Sequence, residues 1–244
     1  MKDIYLKRVL SIDMDYIMEP CIQLYNDLVA GYHNERDIWE RIKIERDIES
    51  HLEYNQSKLS FLFDIFLKAL LEVDPDKVMF ARNHDSILNL LCTEEGKSQI
   101  YDIVNIDHHH DILYSEDGHR EVENFDFTSL NNWVWYLNKY NRVRKYTWVK
   151  NPNSQEFVEP NTDFCLDFIY ESTTDYLDPN LIEPRFDYVF VCCSPEWFPE
   201  RYLHFFLILK QMAFNVKGIE YETRMDRYCV DEKSRPYEKL EIKK

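Results

Sequence analysis

The chain has 244 residues, 45% of them hydrophobic, and carries 45 Asp and Glu against 29 Lys and Arg, a formal charge of −16. That length and apolar content supply one sizeable core, while the negative surplus argues against nonspecific binding to nucleic acid or to an anionic membrane surface. The four glycines, Gly31, Gly96, Gly118 and Gly218, are isolated from one another, which excludes the glycine-clustered dinucleotide and phosphate loops.

No apolar run reaches the roughly 18 residues a membrane span needs. The opening MKDIYLKRVLSIDMD meets carboxylates too early for a signal peptide. The six cysteines, Cys21, Cys92, Cys165, Cys192, Cys193 and Cys229, form no C-x-x-C pair, so a zinc knuckle is not expected. Buried free thiols in a reducing cytoplasm are the expectation.

In chain order, Arg8–Ile12 reads as a short apolar strand ending in Asp13-Met-Asp15, and 20–30 reads as helix. Residues 35–71 are charged with apolar positions at helical spacing, and Ser60–Leu71 is apolar nearly all round, the mark of a buried helix. Asp74-Pro75-Asp76 breaks the chain before a strand at Lys77–Ala81, which runs into Arg82-Asn83-His84 and a helix from Asp85 to Leu91. A strand at Ile100–Ile106 runs into Asp107-His-His-His-Asp111; 114–127 is an acidic loop, and a helix covers Ser129–Tyr140. Further strands are expected at Arg144–Val149, Phe164–Tyr170 and Tyr188–Cys193, followed by a helix at Pro199–Phe214 and a charged tail over 224–244. Alternating strands and helices predict an α/β fold, a three-layer αβα arrangement around a mostly parallel sheet, in one domain spanning 1–244 with 35–71 as a helical insertion.

The polar clusters follow one rule. Asp13 and Asp15, His84, the Asp107–Asp111 run, and Ser194 with Glu196 each follow an apolar strand. In an open parallel sheet, ligand sites form at those strand ends. Asp107-x-His109-x-Asp111 places three ligands on one face of an extended segment, and Asp13-x-Asp15 repeats the spacing. With His84 the inventory is four carboxylates and two imidazoles, which suits Mn²⁺, Fe²⁺ or Mg²⁺ better than a thiolate-rich zinc site. So much negative charge calls for two ions about 3.5–4 Å apart. His108 and His110 alternate with these positions and are expected to face away.

These motifs resemble the arginase/agmatinase (ureohydrolase) superfamily. Asp107-His-His109-His-Asp111 is similar to its D-x-H-x-D motif, Ser11-Ile-Asp13-Met-Asp15 to its S-x-D-x-D motif, and His84 to its single upstream histidine. The D-x-D motif is N-terminal here, whereas arginases carry it after D-x-H-x-D, so the resemblance implies a circularly permuted chain. The early I-D-x-D-Y stretch, Asn132-Trp133, Tyr146-Thr-Trp-Val-Lys-Asn-Pro152 and Ser194-Pro-Glu-Trp197 bring it closest to the peptide-arginase branch, which converts arginine side chains to ornithine. The resemblance implies a binuclear manganese hydrolase, with iron as the alternative metal. Its ligands would be Asp13, Asp15, His84, Asp107, His109 and Asp111, with Asp107 and Asp13 bridging. Asp111 would also act in catalysis, Glu196 would replace the guanidinium-binding glutamate missing from YVFVCC, and His119 would shuttle protons. The partner would be a cationic guanidinium-containing peptide or small molecule.

Two rivals remain. Asp107-His108-His109 also reads as the core of a DHH manganese phosphoesterase, although that family's glycine-rich substrate motif is missing. A metal-binding module without catalysis, or a one-metal deacetylase-type site, fits the missing glutamate.

Overall fold

The structure is a computed structural model that describes residues 5–20, 48–93, 99–112, 132–154, 157, 166–174, 185–195 and 197–218. Strands are β1 (Tyr5–Asp13), β2 (Met18–Pro20), β3 (Leu52–Tyr54), β4 (Val78–Ala81), β5 (Gln99–Asp107), β6 (Val143–Lys150), β7 (Ile169–Thr173) and β8 (Tyr188–Cys192). Helices are α1 (Ile48–His51), α2 (Gln56–Glu72), α3 (Ile87–Leu91), α4 (Trp133–Lys139) and α5 (Leu203–Lys217).

Six strands form one sheet in the order β4-β8-β1-β5-β6-β7. Every pairing within it is parallel. The short β2 and β3 pair antiparallel beside it. The expected α/β class with a parallel sheet is therefore present. The central strands are apolar on both faces because both faces are covered. On one face Leu10, Ile12, Ile106, Val189 and Val191 pack with α2 and α5. On the other, Val9, Ile103, Tyr146, Trp148 and Phe190 pack with α3 and α4.

Helix α2 begins where the Asn55 side chain accepts hydrogen bonds from the backbone N–H groups of Ser57 (2.9 Å) and Lys58 (3.1 Å). Its Leu62, Ile65, Phe66, Ala69 and Leu70 are buried in the first core, so this stretch of 35–71 forms one wall of that core. Phe66 meets Phe80 of β4 edge-on at 5.9 Å, and Phe80 meets Phe206 of α5 at 5.6 Å. Burying one such ring contributes on the order of 2–3 kcal/mol. Helix α5 ends at Gly218, whose φ of 67° is the left-handed conformation that glycine adopts at no steric cost.

One strand is displaced from its sequence position. The expected strand at Phe164–Tyr170 is found at Ile169–Thr173, and 166–168 are not strand. The apolar side chains that drew the strand early have another use: Phe168 packs against Tyr146 in the second core. The expected helix at 20–30, the loop at 114–127 and the tail at 224–244 lie outside the described residues, apart from Pro20, which ends β2.

The sheet delivers one edge to the site. All six strands are parallel, so Asp13, Ala81, Asp107, Lys150 and Cys192 all end their strands at the same edge. Among the described residues, the helices that next pack on the sheet after β1 and β5 are α2 and α4, on opposite faces. Between strands whose connections part in this way a crevice opens.

Candidate metal centre

Register explains the convergence. One rung across the sheet is Met79–Phe190–Ser11–Asn105–Trp148. Two residues on, Ala81 pairs with Cys192, Cys192 with Asp13, and Asp107 with Lys150. Side chains repeat every second residue, so both rungs face α3 and α4. The outer rung supplies Asp13 and Asp107, and the inner rung holds His84 through Ser11 and Phe190 and Asp107 through Asn105.

His84 stands in a single 3-10 turn (His84–Ser86) just after β4. Its ring stacks on Phe190 at 5.7 Å, nearly parallel, and its Nε2 is 2.7 Å from Ser11 Oγ. Both contacts come from the inner rung, and they aim Nδ1 at three carboxylates. Nδ1 lies 2.8 Å from Asp111 Oδ2, 3.1 Å from Asp107 Oδ2 and 3.3 Å from Asp13 Oδ2. One N–H can serve one of them well.

A second group forms beside the first. His109 Nδ1 is 2.8 Å from Asp15 Oδ2 and 3.9 Å from Asp107 Oδ1. Asp107 thus turns one oxygen toward each histidine. The ligand atoms of His84, Asp107 and Asp111 lie within 4.8 Å of one another, as do those of Asp15, Asp107 and His109, and those of Asp13, His84 and Cys192. The structure therefore brings together Asp13, Asp15, His84, Asp107, His109 and Asp111. Glu196 and His119 lie outside the described residues.

Neighbours fix each carboxylate. Asp111 has a φ of 50°, a conformation costly for a non-glycine residue. It is held there by Trp133, whose Nε1 donates to Oδ2 at 2.6 Å, and by the Val134 N–H, which donates to the Asp111 carbonyl at 3.1 Å. Asn105 Nδ2 donates to Asp107 Oδ2 and to Tyr146 Oη, both at 3.0 Å. Tyr146 Oη donates in turn to the His110 carbonyl at 2.7 Å, and Trp148 Nε1 donates to the Asp107 carbonyl at 3.1 Å. Ser194, at a φ of 32°, donates its hydroxyl to Asp13 Oδ2. The His108 N–H donates to Asp15 Oδ1 at 3.2 Å.

The protonation pattern follows from burial and crowding. Burial and the charges of Asp13 and Asp107 hold Asp15 well above the usual carboxylate range. Burial and Asp111 push Asp107 up to about 6, against the pull of His84. Burial would raise Asp13 too, but the hydrogen bond and charge of His84 hold it below its usual value. Burial disfavours a charged His109, yet Asp15 and Asp107 raise it to about 9. Burial disfavours a charged His84 too, yet the carboxylates of Asp111 and Asp107 hold it well above the usual histidine value. The cluster so arranged holds protons in the places where cations would sit. With all four carboxylates ionised, two divalent ions would offset their charge. On donor chemistry, the residues fit a pair of divalent cations.

His108 and His110 take no part in the three groups. Burial pushes His108 well below the usual histidine value and His110 down to about 3. His110 packs edge-on against Trp148 at 5.8 Å and Phe157 at 5.1 Å, and its Nδ1 accepts from the Ile112 N–H at 3.2 Å. On the solvent side the His109 ring is 26% exposed and lies 5.2 Å from the Trp197 ring.

Several contacts were not read from the sequence. Asn105 and Cys192 sit inside runs whose apolar neighbours mask them. Asn105 has a signal in parity, since it lies two residues before Asp107 on the same face; Cys192 is placed only by the β1–β8 register. Tyr146, Trp148 and Asn151 belong to the Tyr146–Pro152 motif. Their work is structural: Asn151 Nδ2 donates to the carbonyls of Tyr16 (2.9 Å) and Met18 (2.8 Å), tying down the turn that carries Asp15.

Compared with protein families, with curated proteins and with solved structures, the chain finds no match. Among the described residues no helix is long and apolar enough to cross a membrane.

Proposed function

We propose that the chain is a binuclear-metal hydrolase of arginase-like design, acting on a guanidinium group in a peptide or small molecule and giving ornithine, or the corresponding amine, and urea. The observation that carries this reading is Asp107, with Oδ2 toward His84 and Oδ1 toward His109. A carboxylate set between two histidine-centred groups is the geometry of a bridge. His84, Asp13, Asp107 and Asp111 would hold one ion, and His109, Asp15, Asp107 and Asp13 the other. Manganese fits the oxygen-rich donors, with iron the alternative.

When bound, the ions supply a water that loses its proton near neutral pH and a counter-charge for the developing anion. The chain's own residues do the rest. Trp133 holds Asp111 Oδ2 so that its other oxygen can accept the proton of the attacking water and pass it to the nitrogen of the departing amine. Buried carboxylates favour a cationic substrate over an anionic one. Trp197, beside His109 on the exposed side, offers an aromatic surface to a planar cation.

The permuted order is no obstacle to such a site, which requires only that β1, β4, β5 and β8 end together. The four glycines are isolated, so the chain lacks the glycine-rich substrate motif of a D-H-H phosphoesterase, which favours the guanidinium reading. The test is to load the full chain with Mn²⁺, measure metal by elemental analysis, and assay urea from arginine, agmatine and arginine-containing peptides. Two equivalents of metal with urea from any substrate support the reading. Two equivalents without urea refute the guanidinium assignment, and no metal refutes the centre itself.

A further inference from the structure

We infer that Cys192 is a ligand of the ion held by His84, so that the two metal positions are chemically unequal. This rests on the binuclear reading above and extends it to a donor that reading does not use. Cys192 ends β8 and pairs in register with Asp13 on one side and Ala81 on the other. Its side chain therefore shares the face of the Asp13 carboxylate. It is fully buried, and its Sγ lies within 4.8 Å of the ligand atoms of both Asp13 and His84. Phe190, two residues earlier on the same face, is the ring on which His84 stacks, so β8 positions the imidazole and the sulfur together.

The other described cysteines are placed differently. Cys193 points to the opposite core, with its Sγ 4.0 Å from the Arg82 carbonyl. Cys92 packs against the second core and belongs to none of the three donor groups. Only one of the three thiols thus faces a histidine and a carboxylate at ligand distance, although all three read alike as buried hydrophobes. Burial keeps the Cys192 thiol protonated in the absence of an ion. Coordination breaks the S–H bond, forms a sulfur–metal bond and sends the proton to the buffer, with no change of oxidation state.

The consequence is metal selectivity. A thiolate with one imidazole and carboxylates suits Fe²⁺, Co²⁺ or Zn²⁺, whereas the oxygen-rich group around His109 suits Mn²⁺ or Mg²⁺. The two positions should therefore fill in a fixed order with a soft ion and accept a mixed pair.

The experiment is anaerobic titration of the full-length apo-protein with Co²⁺, followed by absorption. A near-ultraviolet sulfur-to-cobalt charge-transfer band that grows with one equivalent and then stops is the expected result. Cys192→Ser should abolish the band while the visible d–d bands still report bound Co²⁺, and should weaken Zn²⁺ at least tenfold more than Mn²⁺. Cys193→Ser and Cys92→Ser should keep the band. Two bound Co²⁺ without a charge-transfer band in the unaltered protein overturns the inference and leaves the binuclear reading intact. A band that survives in Cys192→Ser assigns the sulfur elsewhere and also overturns it. Failure to bind Co²⁺ at all overturns both readings.

Discussion

Trp133→Phe tests whether the site depends on the hydrogen bond that holds Asp111. The indole Nε1 donates to Asp111 Oδ2 at 2.6 Å, and the same oxygen lies 2.8 Å from His84 Nδ1. Phenylalanine keeps an aromatic ring against His84, now 5.2 Å from the indole, and removes the donor. A hydrogen bond to a charged group is worth about 1.5–3 kcal/mol. Losing an outer partner of a metal ligand costs roughly 10–100-fold in metal affinity, about 1.4–2.7 kcal/mol. Two independent routes thus give one range. The assay is calorimetric Mn²⁺ titration of both proteins, with thermal denaturation run with and without metal. The variant should bind one Mn²⁺ roughly 10–100-fold more weakly, and its metal-induced rise in Tm should shrink. The apo-protein should lose some stability too, because Trp133 is fully buried and phenyl leaves a gap. A variant with lower apo Tm and unchanged Mn²⁺ affinity would show that Trp133 only fills space, and the reasoning would fail.

Asp107→Asn keeps the shape of the bridge and removes its charge, so bound Mn²⁺ should fall from two equivalents to one or none by elemental analysis; two retained equivalents contradict the ligand map. Asn105→Ala removes the donor shared by Asp107 Oδ2 and Tyr146 Oη, and urea denaturation should show a loss of about 1–3 kcal/mol. Phe66→Ala opens the junction of α2, β4 and α5 and should cost about 3–5 kcal/mol by the same measurement, without altering metal stoichiometry. His110 is held down to about 3 when folded, against an ordinary value of about 6.5 unfolded. Below about 6.5 the unfolded chain binds a proton that the folded chain refuses. Its contribution is therefore complete above that pH and is lost as pH falls toward 3. His110→Phe should flatten the acid limb of a stability–pH profile, and an unchanged slope would contradict the assignment.

The strands that build the site were legible because their ends are marked twice, by an apolar run and then by acid or histidine. Asp13, His84 and the Asp107–Asp111 run follow that pattern, and the structure gathers them at one edge. Helix α2 was legible because it is apolar around most of its circumference. What was not legible depended on register. Nothing local says that Cys192 will face Asp13, or that Asn105 will reach across to Tyr146; strand order settles both. The β7 strand was misplaced because Phe168 is apolar for packing against Tyr146 rather than for strand pairing. Distinguishing those uses requires knowing which neighbour waits on the other side.

The place of β1 in the sheet has a consequence for synthesis. This strand is synthesised before both of its neighbours, β5 and β8, and β8 begins only at Tyr188. Its partner edge along Val9–Asp13 therefore stays open until β8 has been made. Long-range parallel pairing of this kind is slow and exposes unpaired backbone while it waits. Asp13 gains its serine donor and its cysteine neighbour only when that last strand docks. Under the proposed reading, metal capture at full affinity would be a late event that marks molecules in which β1 and β8 have already paired.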